Sequence, residues 1–178
     1  MRFSAEHRFP AGRAAVAAVL GDPDFYRTLA LPDLRLIDLR LLDEREPSGA
    51  MDLGAAPGGP GASREHGFVV RYEFTGTLEP IARRLLGGSR LTWTQELHVR
   101  GESGGSLSFA AEANPRLLRG RADYALVARG SNTIRHLDGE LVVAVPFVGA
   151  MAERRIVAGV LHRLDVEAAA VREHLECS

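Results

Sequence analysis

The stretch "VPFVGAMAERRIVAGVL", Val145–Leu161, changes its periodicity midway and decides the fold. Its apolar, strand-like start meets Pro146, which suits a strand end because it has no N–H for a ladder. Gly149 is then expected to supply a sharp turn. From Ala150 onward Val157, Val160, Leu161, Leu164, Ala168, Val171 and Leu175 share one helical stripe, with Arg155, Val166 and Glu173 opposite. One long amphipathic helix is therefore predicted at the end of the chain, and its stripe requires an apolar surface. Gly159 lies away from that stripe, where it costs a helix about 1 kcal/mol.

The rest of the chain supplies that surface as strands. In "RFSAEHRF" Phe3, Ala5, His7 and Phe9 alternate with polar residues, the pattern of a half-buried strand. "AGRAAVAAVLGDPDFYRTL" reads as a helix carrying Val16, Val19 and Leu20, broken at Gly21 and Pro23, then a shorter helical turn over Phe25–Leu29. A strand follows from Leu34 to Arg45, whose apolar phase slips between Leu36 and Ile37, the signature of a bulge. Phe68, Val70, Tyr72 and Phe74 mark a third strand, and "EPIARRLLGG" a short helix. Strands over Leu91–Arg100, Leu107–Ala113, Ala122–Arg129 and Thr133–Val145 are separated by the turns "GESGG", "NPRLLRG" and "RGSN". Short turns between consecutive strands mean antiparallel pairing.

The predicted order is strand, two helices, six strands and a long helix. It describes an α+β fold, a curved antiparallel sheet of about seven strands wrapped on the carboxyl-terminal helix. One domain over residues 1–178 is expected, since this length buries one substantial core. The segment from about 47 to 66 is rich in glycine and proline and is expected to form a flexible loop.

Composition narrows the function classes. A hydrophobic content of 46% with 25% charged residues is that of an ordinary globular chain. A net charge of -1 with no basic tract argues against nucleic acid or anionic lipid surfaces as general partners. All 22 basic residues are arginine, as in proteins from GC-rich bacterial genomes. The amino terminus lacks the apolar centre of a signal peptide, and no stretch reaches the roughly 20 apolar residues of a membrane span, so a cytoplasmic protein is expected. Cys177 is the lone cysteine and implies no intrachain disulfide.

"RFSAEHRFPAGRAAVAAVLGDPDFY", "ARRLLGG" and "VPFVGAMAERRIVAGVL" resemble the START-like superfamily, which includes polyketide cyclases, lipid-transfer domains and the birch-pollen allergen. Within it they look like an uncharacterised bacterial family of unknown function. The resemblance covers nearly the whole chain and implies a helix-grip fold with a cavity between sheet and last helix. It implies no particular activity, because this scaffold carries transport, cyclisation, hydratase-like chemistry and protein partnering.

The expected cavity lining follows from strand alternation. Phe9, Phe68, Phe74, Trp93, Phe109 and Leu126 would form apolar walls, with His7, Tyr72, Gln95 and Tyr124 interspersed. Val157, Val160 and Glu153 would face them from the helix. Core residues with satisfied hydrogen bonds are the competing explanation for each of the polar ones. His7 is the sharpest candidate because an imidazole exchanges protons near neutrality. Glu153 would equally be at home in the first turn of a helix, where the dipole favours an acid.

Other motifs carry less. His136, Asp138 and Glu140 of "HLDGE" share a strand face, but their neighbours Leu137, Leu141 and Val143 claim the interior, so the three are expected in solvent and no metal site is assigned. The glycine-rich loop opens no evident helix for a phosphate, and no G-x-S-x-G elbow occurs. Arg83, Arg84, Arg154 and Arg155 read as solvated surface. No cofactor is expected. The leading expectation is binding or carriage of a hydrophobic small molecule or lipid. A cyclase or dehydratase using His7 with Tyr72 or Tyr124, and a protein-interaction module with a vestigial cavity, are the alternatives.

Overall fold

The computed structural model describes residues 1–42, 65–77, 90–116, 118–144 and 149–177, with backbone alone at 65 and 149–153. Seven strands form one antiparallel sheet in the order β1-β7-β6-β5-β4-β3-β2. They are β1 (Arg2–Phe9), β2 (Leu34–Leu42), β3 (Glu65–Phe74), β4 (Thr92–Arg100), β5 (Gly104–Ala111), β6 (Leu118–Arg129) and β7 (Asn132–Val143). Helices α1 (Arg13–Leu20) and α2 (Pro23–Thr28) follow β1, and α3 (Gly149–Cys177) ends the chain. The order is the predicted one, and the curved sheet grips α3 as a helix-grip fold.

The chain pairs its ends because β7 is the last strand and β1 the first; the two run antiparallel from Arg2 opposite Glu140 to Phe9 opposite Thr133. The phase slip in β2 is a bulge: register shifts between Leu36 and Asp38, and Ile37 is turned out to 40% exposure. Asp22 caps α2 by accepting from the Asp24 N–H at 2.9 Å, with Pro23 at the first position, where no N–H is needed. That short helix drops Phe25 and Tyr26 into the core, the Tyr26 ring 5.0 Å from Phe68.

Several boundaries differ from those predicted. Gly149 is the first helical residue of α3, so it starts the helix and is not itself the turn; Val145–Val148 lie outside the described residues. β3 begins at Glu65, so 65 and 66 of the expected loop are strand, while 43–64 are not described. The "EPIARRLLGG" helix also falls outside the described residues. β5 and β6 start earlier than their apolar residues indicated, and both carry glycines near those starts. Gly105 has room for no Cβ, which would meet Tyr124 Oη at 2.7 Å, and a Cβ on Gly120 would lie 2.3 Å from the Phe109 ring. A strand signal carried by side chains is faint where the strand must be bare to admit an aromatic ring.

One core fills the concavity. Its largest fully buried side chains include Tyr26, Tyr72, Phe9, Phe68 and Leu137, and α3 contributes Val157, Leu164, Ala168 and Val171. Val166, expected on the far side of the helix, is instead half-buried against this core. Gly159 is exposed, and a Cβ there would meet nothing within 4 Å.

Candidate functional site

Strand alternation places the expected lining residues on the concave face in cross-strand rows. Leu36, Tyr72, Trp93 and Ala111 form one row, and Val70, Gln95, Phe109 and Gly120 the next. His7, Arg135 and Leu126 form a row near the opposite end. Phe9, Phe68, Tyr72, Phe109, Tyr124, Leu126 and Val157 are buried in the common core; Val160 and Trp93 pack at its margin, and Phe74 is half-buried. Glu153 lies on α3, and its side chain falls outside the described residues.

The concave face is not purely apolar. A chain of polar groups crosses it under α3, and four of its members are absent from the expected lining: Arg135, Arg163, Asp165 and Glu167. His7 Nε2 lies 3.1 Å from Asp165 Oδ1, while Arg135 Nη2 donates to His7 Nδ1 at 3.1 Å. Because a guanidinium only donates, Nδ1 accepts and the ring proton sits on Nε2, donated to Asp165. Arg135 Nη1 donates to Glu167 Oε1 at 2.6 Å, with both side chains less than 5% exposed. Glu167 Oε2 is 3.9 Å from Arg163 Nη2, and Arg163 Nη1 donates to Gln95 Oε1. The helix spacing makes this geometry: 163 and 167 are one turn apart on the face that meets the sheet.

Environment fixes the protonation states. Burial lowers the His7 pKa from its ordinary value, and the adjoining Arg135 charge lowers it further against Asp165. Burial raises the Tyr72 hydroxyl, opposed by the Arg163 charge and by an approach of its guanidinium to Oη that falls short of a full hydrogen bond. Tyr124 is pushed up to about 12, again by burial first, so both tyrosines are phenols at neutral pH. His7 therefore has both nitrogens engaged, and no hydrogen bond joins it to Tyr72 or Tyr124 among the described residues. Between His7 and the Tyr72 end of the face runs the Arg135–Glu167–Arg163 relay.

Two buried atoms of this assembly lack hydrogen-bond partners among the described residues: Tyr72 Oη and Arg163 Nε. The Arg163 guanidinium carbon lies 5.1 Å from the Tyr72 ring centroid, and the Trp93 ring is 6.0 Å from the Tyr72 ring. Tyr72 is 1% exposed, and the Arg163 side chain 14%. Leu36 and Trp93, the cross-strand partners of Tyr72, are only partly buried, as are Ile156 and Val160 on the helix before Arg163. Two shallow depressions, of about 220 and 460 Å³, lie elsewhere, lined mainly by convex-face residues such as His98, Ser108, Arg121 and Asp138, with Phe3 at the margin of the larger. His136, Asp138 and Glu140 are on the convex face, with His136 Nδ1 3.2 Å from Glu6, and among the described residues no three His, Cys, Asp or Glu side chains cluster as metal ligands. No helix among the described residues is long and apolar enough to cross a membrane.

Solved structures share this architecture. TTHA0849 from Thermus thermophilus is similar with a TM-score of 0.61 and 14% identity, over 99% of this chain and 98% of that one. A START superfamily protein from Mycobacterium smegmatis matches at 0.55 and 13%, over 98% and 97%. Ara h 8.0201 matches at 0.53 and 12%, over 100% and 99%. At these identities the likeness establishes a START and Bet v 1-type helix-grip fold and nothing finer. No curated protein sequence matches significantly. Residues 63–175 match the family model described as "Protein of unknown function (DUF2505)", so the chain belongs to that family.

Proposed function

We propose that the protein binds a hydrophobic small molecule between the concave face of the sheet and α3, at the end where Leu36, Tyr72 and Trp93 meet the Arg163 face of the helix. One observation carries this reading: Leu36 and Trp93, opposite Tyr72 in the sheet, and Val160, one turn before Arg163, are only partly buried, while Tyr72 and Arg163 each hold a buried polar atom that no described residue satisfies. A core built only for stability leaves few such atoms, since each costs about 1–3 kcal/mol. Half-covered apolar walls with a few convergent polar groups are the usual composition of a small-molecule site. The helix-grip fold of the ligand-binding START and Bet v 1 types is consistent with it.

Binding is favoured over cyclase or dehydratase turnover because His7 gives its two nitrogens to Asp165 and Arg135. A general base needs a free nitrogen within reach of substrate. The residues expected to line the cavity divide accordingly: Tyr72, Trp93, Gln95 and Val160 would touch ligand, and His7 would hold the helix to β1. Native mass spectrometry of the purified protein, with organic extraction of any adduct, tests the reading. A stoichiometric apolar adduct is expected; a bare mass together with no binding of added apolar compounds would end it.

A further inference from the structure

The buried members of the polar chain do not balance their charge, since the second carboxylate, Asp165, is exposed and bound to His7. Arg135 and Arg163 each bring a positive charge, and Glu167 supplies the one buried carboxylate within that chain. Glu167 is committed to Arg135 at 2.6 Å and only approaches Arg163 at 3.9 Å. Asp165 is 70% exposed and bound to His7, and Gln95 is neutral. Arg163 thus sits beneath the helix with a neutral amide as its short acceptor, an Nε–H aimed at no described acceptor, and the unpartnered Tyr72 hydroxyl beside it. Charges removed from water are ordinarily paired, so an excess cation at the edge of an apolar face is complementary to an anion. Two N–H or O–H donors side by side, one charged, match the two oxygens of a carboxylate.

Resting on the ligand-binding reading, we infer that the ligand is an apolar monocarboxylic acid whose carboxylate is received by Arg163 Nε and Tyr72 Oη, with its hydrocarbon along Trp93, Leu36 and Val160. One negative charge neutralises the excess and satisfies both orphaned donors at once. A neutral alcohol would leave Arg163 uncompensated, and an amine would add a second cation. Both donor atoms are closed to solvent, and the half-buried Leu36, Trp93 and Val160 are the side chains that must part for a head group to reach them.

Trp93, the only tryptophan, lies 6.0 Å from Tyr72 and reports binding by its fluorescence. Sodium dodecanoate and 1-dodecanol present the same chain with and without the charge. Dodecanoate is expected to bind at least about tenfold more tightly, the scale of one charge-assisted hydrogen bond. Tyr72→Phe, which keeps ring and shape, should weaken dodecanoate several-fold and dodecanol by clearly less. Arg163→Met should abolish the preference for the acid. Equal affinities for acid and alcohol in the unaltered protein, or a preference that survives both substitutions, would overturn the head-group assignment and leave apolar binding standing. Failure of either compound to alter Trp93 fluorescence, with no apolar adduct by mass spectrometry, would overturn both.

Discussion

Two faces of one sheet carry ion pairs of the same residue types, and they mean different things. On the convex face Arg71 grips Glu112 through two bonds of 2.6 and 2.9 Å, and Arg35 and Arg90 flank Glu73. Glu73 itself is 6% exposed, but Arg35 and Arg90 are 60% and 75% exposed and keep their charges in water, while the half-exposed Arg71–Glu112 pair adds little stability. On the concave face Arg135 and Glu167 are out of water, where a charge without its partner is far more costly. The convex network is complete among its members. The concave one ends in two orphaned atoms, with two arginines against one buried carboxylate, and the proposed ligand site rests on that incompleteness.

The sharpest way to break this contrast is to remove one acid from each face. Glu167→Ala strands Arg135 and should cost about 3–5 kcal/mol in chemical denaturation. Glu112→Ala should cost under about 1 kcal/mol. Comparable losses would mean that the two faces do not differ in kind. Tyr72→Phe acts in the other direction: deleting an unsatisfied buried hydroxyl should stabilise the unliganded protein by about 1 kcal/mol, read as a raised denaturant midpoint.

pH separates the faces more gently. Unfolded, His7 takes up a proton near its ordinary 6.5; folded, it does so lower, because of burial and Arg135. The unfolded chain therefore binds more protons just below 6.5, and stability should fall there until the folded pKa is passed. Glu73 and Glu112 are held below their ordinary 4.5 by hydrogen bonds from Arg35 and from Arg71 respectively, so their contribution is full above 4.5 and lost as pH falls through their folded values. Denaturation midpoints across pH should show the upper decline vanish in His7→Gln and the lower one shrink in Glu112→Gln. Gly159→Ala, on the solvent side of α3 with open space for a Cβ, should add about 0.5–1 kcal/mol by helix propensity alone and leave both declines untouched.

Much of the architecture is legible in the chain because one-sided burial writes period 2 into strands and period 3.6 into a helix. The α3 stripe, the β2 bulge and the outward turn of His136, Asp138 and Glu140 all follow from such patterns. The bare starts of β5 and β6 are not legible, since glycine has no side chain to alternate. The polar relay does leave a signal, though a partial one. Arg135 alternates in phase with buried Thr133 and Leu137, and Glu167 falls between Leu164 and Val171 on the apolar stripe. A charge in an apolar phase announces a buried partner. Which partner depends on the register of helix on sheet, and that is set by packing between residues far apart in sequence.

The measurement that bears most directly on an interior left incomplete for a ligand is thermal unfolding of the unaltered protein and Tyr72→Phe, each with and without saturating dodecanoate. Without ligand the Tyr72→Phe protein should melt higher, and dodecanoate should raise the unaltered protein more, closing or reversing the gap. A Tyr72→Phe protein that melts lower on its own, with equal shifts from dodecanoate, would show that the hydroxyl serves the fold and not a ligand.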